Sequence, residues 1–133
     1  MPDALKTWHK MIETGDMTGL DALLAEDAVF LSPIVHTPQM GRAMVKLYLM
    51  AAGEVLANDS FRYTREIVDN PHAVLEFETV MDGIKVNGID MITWNDKGEI
   101  TEFKVMIRPL KAINLVHARM GEMLNAMQSG ATA

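Results

Sequence analysis

The second half of the chain contains four strand-like runs that very short turns separate. The runs span residues 61–68, 72–81, 85–94 and 100–107. Asp, Asn, Gly and Pro fill the segments between them, which is the chemistry of tight turns. A parallel pair needs a crossover of a dozen or more residues, so connections this short join antiparallel neighbours. The second half therefore predicts an antiparallel meander.

Helical patterns precede that meander. Residues 3–13 have apolar side chains at helical spacing, namely Leu5, Trp8, Met11 and Ile12. Thr18 and Asp21 form a capping box that predicts the start of a second, short helix. A short strand is predicted over residues 28–33, where Pro33 ends it.

Two further helices are predicted, one on each side of the meander. Thr37 followed by Pro38 is typical of an N-cap and first helical position, and this helix extends to about Leu56. Its predicted apolar side carries Met44, Leu47, Tyr48, Ala51 and Val55. After Pro109, a last helix has Ile113, Val116, Met120, Met123, Leu124 and Met127 at core spacing. Helices and a meander together predict an α+β fold in which helices cover one face of a curved sheet.

Strand phase predicts which side chains face the helices. The inward residues of the second and fourth runs are Leu75, Phe77, Thr79, Phe103, Val105 and Ile107, because charged residues occupy the opposite phase. In the third run, Asp90 shares its phase with Val86, Ile92 and Trp94. Carboxylates are seldom buried without a partner, and those that are buried tend to be functional. Asp90 is therefore the leading site candidate, and desolvation is expected to raise its pKa.

Length and charge exclude several classes of protein. The 133 residues suffice for one domain, predicted to span 1–133. A net charge of −6 disfavours binding to nucleic acid or to an anionic membrane. The chain has no cysteine, and its histidines lack metal-site spacing, so no metal and no cofactor are expected. No apolar stretch resembles a signal peptide or a membrane span, which predicts a cytoplasmic protein.

Three segments carry a resemblance to a known family. They are TGDMTGLDALLAEDAVFLSP, GRAMVKLY and GIDMITWNDKGEITEFKV. Their order and spacing are similar to those of the NTF2-like (SnoaL-like) superfamily and, within it, of bacterial ketosteroid isomerase. The resemblance implies a cystatin-like cone, in which a long helix and a curved sheet enclose a conical pocket. It further implies a small, largely apolar ligand.

The resemblance implies a pocket like that of the isomerase, but only part of its catalytic residues. Family isomerases use an Asp general base and an oxyanion hole of a Tyr and a protonated Asp. The oxyanion Asp corresponds to Asp90, the Tyr to Trp8 and the base to Ser32. A neutral serine without a partner is a poor base, and an indole N–H donates one hydrogen bond but is a weak acid. We therefore expect no ketosteroid isomerase activity.

Two functions stay open at this point. The first is a binding module for a small apolar molecule. The second is an acid–base enzyme of isomerase, hydrolase or cyclase type, in which Asp90 is the acid and His36, from the loop after the first strand, is the base. In both, Trp8, Ser32 and Tyr48 are expected to border the ligand. Whether the last helix is a lid, part of the core or a subunit contact is also open.

The outward phase of the sheet predicts a homodimer. Its apolar members are Val74, Val80, Ile89, Met91 and Met106. In a monomer these groups form an exposed patch of the kind that usually marks an interface. The family resemblance also implies pairing of two sheets. The alternative is that the last helix of the same chain covers the patch.

Overall fold

A computed structural model describes residues 2–132 of the chain, and the side chains of residues 2–128. In chain order the elements are α1 (Asp3–Thr14), α2 (Leu20–Leu23), β1 (Leu24–Leu31), β2 (Gln39–Met40), α3 (Arg42–Leu56), β3 (Arg62–Asp69), β4 (His72–Met81), β5 (Ile84–Trp94), β6 (Ile100–Arg108) and α4 (Leu110–Thr132). The strands form a six-stranded sheet in the order β2-β1-β6-β5-β4-β3. The predicted α+β fold class is confirmed.

The predicted meander corresponds to β3 through β6, which pair antiparallel with their neighbours. The other half of the sheet departs from a fully antiparallel arrangement. β1 pairs with β6 in parallel, and β2 adds to the free edge of β1 in antiparallel orientation. A parallel pairing is possible here because most of the chain separates β1 from β6, which leaves ample length for the crossover.

The two faces of the meander differ in burial as strand phase predicts. Inward side chains alternate with outward ones along β4, β5 and β6. The fully buried members include Leu75, Phe77, Ile92 and Phe103, which form the core with α1 and α3. This alternation determines that Asp90, at an inward position of β5, lies on the core side of the sheet.

The N-terminal helices agree only in part with the predictions. α1 matches, and Gly15 ends it in the left-handed conformation with φ 74°, where its N–H donates to the carbonyl of Met11. The predicted capping box of α2 is wrong. Thr18 Oγ1 instead donates to Asp16 Oδ1 at 2.7 Å, and Gly19 occupies the N-cap. A side-chain bond to the preceding loop has replaced the bond to the helix.

The start and the buried face of α3 also differ from the prediction. α3 begins at Arg42, because Gln39 and Met40 pair with β1 as strand β2. Gly41, with φ 95°, turns the chain from that strand into the helix. The buried side chains of α3 are Val45, Leu49, Ala51 and Leu56, whereas Met44 is exposed. The buried face of α3 is therefore rotated about the helix axis relative to the predicted apolar side.

α4 packs against α3 and against the β5–β6 part of the sheet. Ala112 and Val116 are buried, while Met120, Met123, Leu124 and Met127 are half-buried. α4 therefore lies on the inner side of the sheet and leaves the outer face uncovered.

Among the described helices, none is both long and apolar enough to cross a membrane.

Candidate functional site

A cavity of about 240 Å³ lies between the inner face of the sheet and helices α1, α3 and α4. Its wall is mostly apolar and includes Phe30, Phe61, Phe77 and Phe103. The polar side chains in its lining are Trp8, Ser32, Tyr48, Tyr63, Asp90 and His117. An apolar wall with a few convergent polar groups is the usual composition of a small-molecule site.

Hydrogen bonds join three of these polar side chains at the buried end of the cavity. Trp8 Nε1 donates to Tyr63 Oη at 2.9 Å. Tyr63 Oη in turn donates to Asp90 Oδ2 at 2.6 Å. Because an indole N–H can only donate, the phenol must accept from Trp8 and direct its own proton to Asp90. Asp90 Oδ1 has no hydrogen-bond partner among the described residues and is the oxygen left for the cavity.

Separate elements position the two ends of this chain of bonds. Trp8 lies on the buried face of α1, where its ring packs edge-on against Phe103 with the centroids 4.9 Å apart. Asp90 lies within β5, between Leu75 of β4 and Val105 of β6. The carboxyl group is therefore held in the interior of the sheet and is 7% exposed.

The middle member, Tyr63, is a site residue that sequence analysis does not single out. It lies opposite Phe77, and the β3–β4 register shifts between Tyr63 and Arg65. After this irregularity Arg65 lies opposite Glu76, an outward residue, so the direction of β3 side chains changes along the strand. The available signal was the aromatic pair Phe61 and Tyr63, which share a phase while the other residues from 62 to 66 are polar.

Burial controls the protonation of both acids in this network. Loss of hydration raises the pKa of Asp90 to about 7, although the hydrogen bond from Tyr63 opposes the shift. Burial and the neighbouring Asp90 carboxylate raise the pKa of Tyr63 well above its usual value, so the phenol keeps its proton. Since Oδ2 accepts from Tyr63, a proton on Asp90 is placed on Oδ1. Near neutral pH, Oδ1 can therefore donate or accept a hydrogen bond.

Residues 5–103 match the family model described as a SnoaL-like domain. The chain belongs to the SnoaL-like family. The resemblance drawn from the three sequence segments is therefore confirmed. A search of curated proteins finds no match.

Solved structures place this SnoaL-like domain among NTF2-like and cystatin-like folds. A steroid delta-isomerase from Pseudomonas aeruginosa is 36% identical over 95% of this chain and 92% of its own, with a TM-score of 0.90. A bacterial protein with a cystatin-like fold from Silicibacter pomeroyi is 30% identical over 92% and 85%, with a TM-score of 0.84. A de novo designed protein with a curved β-sheet, 15% identical at a TM-score of 0.70 over 89% and 94%, is similar in fold alone.

Most of the predicted site residues of this SnoaL-like domain line the cavity. They are Trp8, Ser32, Tyr48, Phe77, Asp90, Phe103, Val105 and Ile107. Leu75 and Thr79 also point inward but do not border the cavity. Leu75 is enclosed in the core, and Thr79 Oγ1 donates to the carbonyl of Leu56 at 3.2 Å. Strand phase gives the side of the sheet, but not how far along each strand the cavity extends.

The structure brings Ser32 to the cavity but not His36. Ser32 Oγ accepts the backbone N–H of Ile34 at 2.9 Å, so this oxygen fixes the turn after β1. His36 is exposed and lies with Lys104 and Met106 on an adjoining groove, and it does not line the cavity. Because β2 pairs with β1, the loop that carries His36 follows the edge of the sheet.

Two other histidines lie near the cavity. His117 of α4 is exposed and forms part of the lining. His9 is half-buried behind the network, where it contacts Glu66 and packs edge-on against Tyr63 with the ring centroids 5.5 Å apart. In the part of the chain that the structure describes, no three His, Asp or Glu side chains gather where they could hold a metal ion.

Proposed function

We propose that this SnoaL-like domain binds a small, largely apolar molecule that carries one hydrogen-bonding group. One observation carries the proposal: Asp90 is 7% exposed, its Oδ2 is bonded to Tyr63, and its Oδ1 borders an apolar cavity without a partner among the described residues. Oδ1 is open to the cavity, so its hydrogen-bonding capacity is available to a bound molecule. A ligand carbonyl or hydroxyl would supply that partner.

The size of the cavity limits the size of the part of the ligand that it encloses. An engineered cavity of about 150 Å³ in another protein accommodates benzene. The cavity of about 240 Å³ is larger by a factor of about 1.6, so the part of the ligand inside it holds one or two small rings. The aromatic side chains of the wall suit a flat or partly unsaturated ring system.

The proposal excludes ketosteroid isomerase chemistry, although the Pseudomonas relative is described as a steroid delta-isomerase. Isomerisation needs a base that removes a proton α to a carbonyl, and Ser32 stands where the resemblance places that base. Its Oγ already accepts the N–H of Ile34. With an unconjugated ketosteroid we expect no rate above background, whereas Ser32→Asp is expected to create activity if the geometry is preserved. Clear wild-type turnover that Asp90→Ala abolishes would reject this part of the proposal.

The second candidate function is an acid–base enzyme in which Asp90 is the acid. It is supported by the pKa of Asp90, which at about 7 suits proton transfer at neutral pH. The predicted partner base, His36, lies outside the cavity. The cavity lining contains His117 instead, so a reaction with a protein base would involve that residue. Conversion of any bound ketone, lost in His117→Gln, would favour this candidate over simple binding.

Ligand binding is tested most directly with 1-tetralone, a bicyclic ketone of suitable size. Calorimetric titration at pH 6 is expected to show saturable binding by the wild type. Asp90→Ala removes the hydrogen bond to the carbonyl and is expected to weaken binding about tenfold or more. Asp96→Asn, a change at an exposed turn residue, is the matched control. Equal affinity in Asp90→Ala and the wild type would show that the carboxyl group does not hold the ligand.

We further propose that the chain forms a homodimer through the outer face of the sheet. Val80 and Met106 are 42% and 48% exposed on this face. Val74, Ile89 and Met91 are half-buried beside them. A two-fold axis would bury the patch against its own copy, and α4 lies on the other side of the sheet.

Light scattering at micromolar concentration is expected to give the mass of two chains. Met91→Glu would place a carboxylate in the interface and should shift the mass towards one chain. Leu110→Glu, at an apolar residue of α4 that is 71% exposed, is the control and should leave the mass unchanged. A wild-type mass of one chain would contradict the dimer.

A further inference from the structure

The mouth of the cavity can be located from its exposed lining residues. They are Val35 in the loop after β1, Ala57 at the end of α3, and His117 and Gly121 on α4. Asp90, in contrast, is 7% exposed. The cavity therefore extends from the buried Trp8–Tyr63–Asp90 network to an opening between α3, α4 and this loop.

Two glycines line the cavity inside helices, where glycine is a poor helix former. Gly53 lies in α3 and Gly121 in α4. A Cβ atom built on either residue meets no other atom within 4 Å, so neither glycine is required for close packing. Neither has the positive φ angle that favours glycine. Glycine at these positions weakens both helices without a compensating benefit in the fold.

Local backbone geometry or close contacts explain why glycine occupies its other positions in the described residues. Positive φ angles account for Gly15, Gly41, Gly83 and Gly98. Tight contacts account for the other two: a Cβ on Gly19 would lie 3.0 Å from Met11, and one on Gly88 would lie 2.5 Å from the carbonyl of Met106. Gly53 and Gly121 are thus distinguished by their place on the cavity wall.

We propose that the ligand is elongated, with its polar head at Asp90 and an unbranched apolar tail that leaves the cavity past Gly53 and Gly121. The inference rests on the proposed function and names the ligand class as alkyl-substituted ring ketones or their alcohols. The side chains near the opening support an apolar tail, because Ile34, Met120 and Leu124 line the cavity with the two glycines. The buried end of the cavity holds the head, and the space beside the two glycines at its mouth holds the tail.

The test is a homologous series of ketones, from acetophenone through 4′-methyl to 4′-heptyl acetophenone, titrated by calorimetry at pH 6. For the wild type, affinity is expected to rise about two- to fourfold for each added methylene that is buried. Gly121→Leu and Gly53→Leu should bind acetophenone as the wild type does but lose this increase for the longer tails. Ala118→Leu, which adds the same side chain to an exposed site of α4 outside the cavity lining, should keep the wild-type dependence on tail length.

The variants are expected to fold, because both glycine positions have free space and leucine favours a helix. Gly121→Ala is a milder second variant, and it should shorten the accepted tail by less than Gly121→Leu does. An unchanged tail-length dependence in both leucine variants would overturn the inference and leave the binding proposal intact, provided that acetophenone itself binds. Absence of binding by every member of the series would reject the proposed function and the inference together.

Discussion

At the buried end of the cavity, side chains from α1, β3 and β5 hold one another through hydrogen bonds, whereas at the mouth two helix glycines leave space that no side chain fills. The buried end contains the network of Trp8, Tyr63 and Asp90. The mouth contains Gly53 and Gly121. Under the proposed binding mode, the buried end would select the orientation of the ligand and the mouth would select the length of its tail. This mode also implies that substitutions at the two ends affect different quantities: protonation at one, tail length and helix stability at the other.

The largest expected effect is on the stability of Asp90→Asn at alkaline pH. The folded protein keeps the Asp90 proton up to about pH 7, whereas an unfolded chain releases it near pH 4. The folded state therefore binds more protons between these values, and the Asp90 contribution to the free energy of unfolding falls as pH rises from about 4 to 7. The loss amounts to at most about 4 kcal/mol.

Asp90→Asn removes this titration and keeps an oxygen that can accept from Tyr63. Relative to the wild type, the variant should gain stability between pH 5 and pH 8 in urea unfolding. Asp96→Asn, at an exposed turn residue, serves as the control without such a change. A difference between Asp90→Asn and the wild type that is independent of pH would show that Asp90 has no raised pKa.

The next effect is on ketone binding, which should depend on the proton of Asp90. A carbonyl accepts from protonated Oδ1, so the affinity of the wild type for 1-tetralone should fall about tenfold per pH unit above pH 7. In Asp90→Asn the amide can donate at every pH, and its affinity should not change between pH 6 and pH 9. Parallel pH profiles in the two proteins would mean that another group controls binding.

Tyr63→Phe should have a smaller effect at the same end. The hydrogen bond from Tyr63 lowers the pKa of Asp90, so its removal should move that pKa above about 7. The pH at which ketone binding weakens should increase accordingly. Trp8 loses the acceptor of its N–H, which is expected to cost about 1–2 kcal/mol of stability. Tyr48→Phe, a change in the cavity wall outside this network, is the control. A midpoint that moves to lower pH would contradict the assigned role of Tyr63.

The parts of the molecule that could be predicted from sequence are those whose structure follows from local residue patterns. The meander follows from alternation and turn residues, and β4 spans residues 72–81 as predicted. Strand phase also placed Asp90 on the core side. The start of α3 could not be predicted in this way, because residues 39 and 40 pair with β1, a contact that depends on the folded sheet.

Long-range geometry also explains what was missed within the site. Tyr63 reaches Asp90 from a strand whose register is irregular, and simple alternation does not describe such a strand. His36 was expected to be the base that acts with Asp90, but the β2 pairing directs its loop along the sheet edge. Trp8, which the resemblance places at the oxyanion tyrosine, shows the same limit. Its indole N–H donates to Tyr63, and Tyr63 supplies the hydrogen bond to Asp90.

The smallest expected effect comes from replacing a glycine by alanine, once at the mouth of the cavity and once in the sheet. Gly121→Ala should raise the free energy of unfolding by about 0.5–1 kcal/mol, because alanine favours a helix and the new methyl group meets no atom within 4 Å. Gly88→Ala is the matched opposite, since its Cβ would lie 2.5 Å from the carbonyl of Met106 and from the ring of Phe77. That variant should lose stability. Thermal and urea unfolding of both variants measure the contrast. A destabilised Gly121→Ala would mean that the space beside this glycine is filled in solution, and the tail would then need another route out of the cavity.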